Sequence, residues 1–165
     1  MVSMRAIVFY YSRTGTTKAV ASAISGALKC DAEEIVDCKG RSGPLGHIKS
    51  GREAHEMRLT EIKHVKNDLS LYDTVIIGTP VWSGTISCAV RTFISQFQQA
   101  LASKNLAFFC TMGGSGNEDT LEEMAVLCDR APLATSAFST GEVKSKKFLA
   151  PVSQFTSEIL RFLQF

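Results

Sequence analysis

A repeated change of hydrophobic period constrains this chain more than any other feature. Residues 6–10 (AIVFY), 74–78 (TVIIG) and 106–110 (LAFFC) are short, nearly continuous apolar runs rich in strand formers. That is the pattern of strands buried on both faces. Residues 31–36 and 133–138 are weaker runs of the same kind. Between the runs, apolar residues recur every three or four positions. Val20, Ile24 and Leu28 share one helix face, Val90, Phe93, Ile94, Phe97 and Leu101 a second, Leu121, Met124, Ala125 and Cys128 a third, and Val152, Phe155, Ile159, Phe162 and Leu163 a fourth. Strands that alternate with helices need crossover connections, and crossovers build a parallel sheet with helices on both faces. The expectation is an α/β fold of three layers around an open, five-stranded parallel sheet.

One connection breaks the rhythm. A crossover needs about a dozen residues, yet residues 37–72 separate the second and third strands. Residues 68–72 read as the end of the crossover helix. Residues 39–66 read as an inserted segment within a single domain spanning 1–165. Gly40, Gly43, Pro44, Gly46 and Gly51 cluster near its start, and Ile48, His55, Leu59 and Ile62 form a sparse apolar stripe that suggests a partly helical piece. The segment carries seven Lys/Arg against three Asp/Glu. Long connections in compact domains are often lids or binding loops, so a basic cover is expected here. His47, His55 and His64 all lie in it. They read as a solvated helix face, with a proton donor to a nearby ligand as the alternative.

Composition bounds the rest. A net charge of +2 is too small to imply nucleic-acid binding. No run approaches the roughly 18 apolar residues of a membrane helix, and the start of the chain has no signal-peptide layout, so a cytoplasmic protein is expected. Five scattered cysteines without a CxxC pair argue against disulfides and against zinc.

Three loops follow the strong strand runs. In open parallel sheets, ligands bind beyond the carboxyl ends of the strands, near a switch point in strand order. Ser12, Arg13, Thr14, Gly15, Thr16 and Thr17 form the first loop. It combines hydroxyl donors, a glycine and a helix start, which suits a phosphate; ordinary helix capping by Ser and Thr is the competing account. A Walker A loop and a GxGxxG fingerprint both lack their glycines here, and the loop has no cysteine for a phosphatase mechanism. Thr79, Pro80, Val81, Trp82, Ser83, Gly84 and Thr85 form the second loop, with the only tryptophan of the chain. An indole there suits a flat ring, or half-buried packing. Thr111, Met112, Gly113, Gly114, Ser115 and Gly116 form the third, whose glycines suit close backbone approach to a ligand or a mobile surface loop.

In order and spacing, the three loops resemble the FMN site of the flavodoxin-like family. Ser12-Arg13-Thr14-Gly15-Thr16-Thr17 resembles the family's [S/T]-x-T-G-x-T phosphate loop. The resemblance implies a strand order of 2-1-3-4-5 and noncovalent FMN. It implies that Ser12 to Thr17 hold the phosphate. Thr79, Pro80, Val81, Trp82, Ser83 and Gly84 would line one side of the ring, with Trp82 stacked on it and Gly84 near flavin N5. Thr111, Met112, Gly113, Gly114 and Gly116 would face the pyrimidine edge. The chain lacks the long interruption of the last strand found in long-chain flavodoxins, so it is similar to a short-chain flavodoxin or a flavodoxin-like FMN reductase.

The function so implied is electron transfer through FMN, either as a carrier for a redox partner protein or as a reductase linked to NAD(P)H and an acceptor such as a quinone. Residue types do not choose between these modes, nor do they set the oligomeric state. Carriers in the family are strongly acidic, whereas this chain is slightly basic; no nicotinamide-binding motif accompanies that difference. The alternative is a flavin-free interaction or regulatory module on the same fold. A response-regulator version needs acidic strand ends, where this chain has Tyr10, Tyr11, Thr79 and Pro80. No side chain is assigned a catalytic role, and no metal site is expected.

Overall fold

The computed structural model describes residues 5–164; the leader-peptide reading of the first residues lies mostly outside them. The elements, in chain order, are β1 (Ala6–Tyr10), α1 (Thr16–Leu28), β2 (Asp31–Glu34), α2 (Gly43–His55), a single 3-10 turn (Leu69–Leu71), β3 (Thr74–Trp82), β4 (Thr85–Ile86), α3 (Cys88–Ala102), β5 (Asn105–Met112), α4 (Asn117–Cys128), β6 (Thr135–Ser139), α5 (Thr140–Lys144) and α6 (Leu149–Leu163). Five strands run parallel in the order β2-β1-β3-β5-β6, and β4 pairs antiparallel with the end of β3. Counting the parallel strands alone, this is the expected 2-1-3-4-5 order.

Strand alternation sends successive side chains to opposite faces, and the core divides accordingly. Ile7 and Phe9 of β1, Val75 and Ile77 of β3 and Leu106 and Phe108 of β5 pack with Val90, Phe93 and Met124 from α3 and α4. Val8, Ile76 and Phe109 point the other way, onto Val20 and Ile24 of α1 and Val152, Phe155 and Ile159 of α6. Cys88, Cys110 and Cys128 are buried in these layers, Cys30 is half-buried and Cys38 is exposed, all as free thiols. Burial pushes the Cys110 and Cys128 thiols up to about 12.

Two expectations are corrected. Residues 68–72 do not end a crossover helix. They form the 3-10 turn, in which the Asp68 carboxylate accepts from the Ser70 amide at 2.9 Å. The helix of this connection is α2, and Leu59 and Ile62 lie beyond it. The apolar stripe fails because Ile48 and Leu59 are exposed, while the buried face of α2 is Ser50, Glu53 and Ala54. After α2 the chain returns extended beside residues 36–38, through Cys38 N–H to Glu61 O (2.8 Å) and Lys63 N–H to Val36 O (2.8 Å). The third strand also outruns its apolar run. β3 continues to Trp82 because Ser83 and Gly84, both at positive φ (50° and 76°), turn the chain into β4. Two such residues make the tight turn whose twist suits a hairpin.

Candidate functional site

The carboxyl ends of β1, β3, β5 and β6 meet at one edge of the sheet. Pro80 pairs with Thr111, and Met112 with Ser139, so their loops share one level. Between them is a cleft of about 200 Å³ lined by Arg13, Thr14, Thr16, Thr17, His47, residues 80–82, residues 111–113 and Thr140.

At the β1 end, Gly15 stands as N-cap of α1 at φ 94° and carries no capping side chain. Ser12 does that work: its Oγ accepts from the amides of Gly15 (3.1 Å) and Lys18 (3.2 Å). Capping therefore occupies Ser12 and leaves other donors of the loop unused. Among the described residues, the amides of Thr16 and Thr17 have no protein acceptor. They are orphan donors at the positive end of the helix dipole. The Thr17 hydroxyl turns inward instead and shares a hydrogen bond with Thr111 Oγ at 2.7 Å, both side chains being buried. That bond ties the first loop to the third. Thr14 and Thr16 keep their hydroxyls free of protein partners among the described residues, and both line the cleft.

The second and third loops touch directly. A Cβ on Gly116, itself at φ 89°, would lie 2.9 Å from Gly84 Cα, so a side chain there would push the β3–β4 turn away. Arg91 holds the turn from below. Its Nη2 donates to Thr85 Oγ1 (3.0 Å) and to Glu123 Oε1 (2.5 Å), and Thr85 also bonds Glu123. Thr140 donates to Met112 O at 3.2 Å and closes the β6 side.

Trp82 lines the cleft but is only 7% exposed. Its ring meets Tyr11 edge-on at 5.3 Å, and the Arg41 guanidinium carbon stands 5.5 Å from its centroid, within cation–π range. An indole face open to stacking would expose far more, so a ring stacked flat on Trp82 requires the side chain to turn out of this packing.

Arg41 belongs to a buried ion cluster beside the cleft. Its Nε donates to Asp37 Oδ2 (2.5 Å) and its Nη1 to Ser50 Oγ (3.2 Å). Its Nη2 lies 2.8 Å from Glu53 Oε2, close but off the hydrogen-bond line. Asp37 also accepts from Thr60 Oγ1 at 2.8 Å. Burial alone would depress the guanidinium, but the Asp37 hydrogen bond and charge, with Glu53, outweigh it and hold Arg41 above its ordinary value. Burial and then the Asp37 charge push the neighbouring Tyr11 phenol up to about 12. Arg41, expected as part of a basic cover, is thus an internal ion, while Lys49, Arg52 and Arg58 are exposed.

The structure therefore gathers residues from all three expected loops at one cleft. Ser12, Thr79 and Gly15 support its walls. Gly114 and Ser115 are exposed and lie outside its lining; Ser83, Gly84, Thr85 and Gly116 also lie outside it. Sequence reasoning missed Thr140 and Tyr11, and set His47 aside. Ser139 and Glu142 form a capping box at the end of β6; that S-x-x-E signal marks one more strand end at the same edge. A roomier cavity of about 550 Å³ lies elsewhere, between residues 64–70 and the kinked end of α3, and gathers none of the three loops. Among the described residues no group of side chains could hold a metal ion, and no helix is long and apolar enough to cross a membrane.

A family model described as the flavodoxin domain matches residues 47–150. The chain belongs to the flavodoxin family. Solved structures agree on the fold. A flavoprotein from Lactobacillus acidophilus NCFM, in complex with FMN, is 21% identical with a TM-score of 0.71, covering 87% of this chain and 98% of that one. The apo-form of the Lactobacillus acidophilus flavoprotein gives 22% and 0.62, covering 87% and 97%. Two-electron reduced Megasphaera elsdenii flavodoxin gives 16% and 0.52, covering 81% and 85%. In this flavodoxin-family chain the match takes in most of the α2 connection, whose helix has a polar inner face and brings His47 to the cleft.

Proposed function

We propose that this chain binds FMN noncovalently in the strand-end cleft and transfers electrons through it. One observation carries the reading: the start of α1 with its free amides, the free hydroxyls of Thr14 and Thr16, the Pro80–Trp82 end of β3 and the Thr111–Gly113 end of β5 all line one cleft. A phosphate suits the first two. The chain's residues fit the group, since no carboxylate lines the cleft and glycines stand where loops approach closely. Bound FMN would supply the redox chemistry. The protein's part is to hold the phosphate with Thr14, Thr16 and the Thr16 and Thr17 amides. It also shields the ring with Pro80, Val81 and Trp82, and sets backbone dipoles from Gly84 and residues 112–114 against it.

The test is titration of flavin-free protein with FMN, riboflavin and FAD. Trp82 is the single tryptophan, so its fluorescence reports a bound ring. FMN should quench it strongly and FAD should not compete, because the site has one phosphate loop and no second. Thr14→Ala and Thr16→Ala should each cost FMN about 1.5–3 kcal/mol, the range for a hydrogen bond to a charged group, while sparing riboflavin. Equal binding of FAD and FMN contradicts the site. Reduction of the bound flavin by NADPH assigns the reductase mode; reduction only by a redox protein assigns the carrier mode.

A further inference from the structure

A guanidinium and an imidazole meet at the edge of the cleft. Arg13 Nη2 lies 3.0 Å from His47 Nδ1, and Arg13 Nη1 donates to Arg41 O at 3.4 Å. Guanidinium has no acceptor atom and stays charged, so Arg13 is the donor and His47 accepts with its ring proton on Nε2. Arg13 has no carboxylate partner among the described residues. Among the residues lining the cleft, Arg13 and His47 are the only charged or titratable ones. A guanidinium that pairs with an imidazole, in a cleft without an acid, lacks a counter-anion.

The place of His47 is built, not incidental. It sits on α2 between Gly46 and Gly51. A Cβ on Gly46 would lie 2.6 Å from the Arg41 carbonyl carbon, and one on Gly51 would lie 2.9 Å from Ser83 Oγ. The bare glycines let the helix press against both the Arg41 loop and the β3–β4 turn. The helix thus carries the imidazole from the connecting segment to the phosphate loop.

We infer that Arg13 and His47 form a clamp for the phosphate of the bound nucleotide, with α2 as the arm that brings the imidazole. The clamp rests on the FMN reading and sharpens it: the ligand class is a phosphomonoester dianion, held by side-chain charge as well as by the amides and hydroxyls of the loop. The guanidinium offers a second N–H for the anion, and the imidazole offers Nε2–H or, once protonated, both nitrogens. Without the anion the pair holds itself together; with it, both groups gain a shared acceptor and α2 is drawn onto the loop.

The experiment titrates flavin-free full-length protein with FMN and with riboflavin, for wild type, His47→Gln, His47→Ala, Arg13→Ala, the Arg13/His47 double variant and Gly46→Ala. Expected are a loss of roughly tenfold in FMN affinity for His47→Ala and for Arg13→Ala, the scale of one charge-assisted contact, and riboflavin affinity within about twofold of wild type. His47→Gln, which keeps a donor, should recover part of the loss. The double variant should lose less than the product of the single losses, because the two act on one anion. Gly46→Ala would press a Cβ into the Arg41 backbone, so it displaces the arm and should weaken both flavins. If His47 variants weaken FMN and riboflavin alike, or neither, while wild type prefers FMN, the clamp is overturned and the FMN reading stands. If wild type binds neither flavin, both fall.

Discussion

Helices α1 and α2 are both 13 residues long and both border the cleft, yet they are held in opposite ways. α1 turns Val20, Ala21, Ile24 and Leu28 inward, the ordinary amphipathic arrangement. α2 is inverted. Its buried residues are Ser50, Glu53 and Ala54, while Leu45 and Ile48 stand 83% and 68% exposed. Non-directional burial fixes α1, whereas α2 is fixed by directed bonds to one buried arginine. The contrast teaches that the floor of the site is welded into the core and its roof is fastened by a few polar contacts. Such contacts hold strongly while complete and fail sharply when one member is lost.

The comparison breaks first at Glu53. Glu53→Ala leaves Arg41 buried with one of its two carboxylates, and removing one member of a buried ion pair costs about 3–5 kcal/mol. We expect that loss in the urea midpoint, with faster amide exchange over residues 43–55. A cost below that of a trimmed methyl group would show that α2 is held by something else. Acid sharpens the same point. Burial pushes the Glu53 carboxyl up, but the close Arg41 guanidinium, aided by Lys39, outweighs it and leaves it below its ordinary value. Its stabilising contribution is therefore complete above the unfolded value near about 4.3 and lost as pH falls through the lower folded value. Exchange over α2 should stay slow from pH 7 to about 5 and rise only in stronger acid. A rise already near neutrality would contradict the ion-cluster account.

Smaller effects test the other helix and the outer face. Ile24→Val in α1 should cost about 0.5–1.5 kcal/mol, as for other trimmed core methyls, measured as the same midpoint shift. Ile48→Ser, although it removes a large apolar group, should change stability by no more than about 0.5 kcal/mol, because the side chain is already in water. A larger loss than for Ile24→Val would mean that α2 buries its apolar face after all.

The same contrast explains what the sequence disclosed. Strand runs such as residues 106–110 and the face of α1 were legible because burial selects hydrophobicity with a fixed period. Three of the strand-end loops were legible because their place follows from those runs. Strand order was not: it came from resemblance, since periodicity carries no information about neighbours. α2 was misread because its inner face is polar, and its apolar residues pointed to a stripe that the fold leaves in solvent. β4 is too short for any period, although Ser83-Gly84 between two strand-like pieces is a hairpin signal. Trp82 showed its position but not its neighbours, because the arginine above it is 41 residues away along the chain.

The burial of the thiols has a consequence for handling the protein. Only thiolate reacts with disulfide reagents. At about 12, the Cys110 and Cys128 thiols are ionised to roughly one part in a hundred thousand at neutral pH, and no reagent reaches them in the closed core. Cys38 alone is exposed, on the segment that leads into α2. A dye attached there would sit beside the arm that carries His47, and replacing the half-buried Cys30 would make it a single-site optical reporter of that arm.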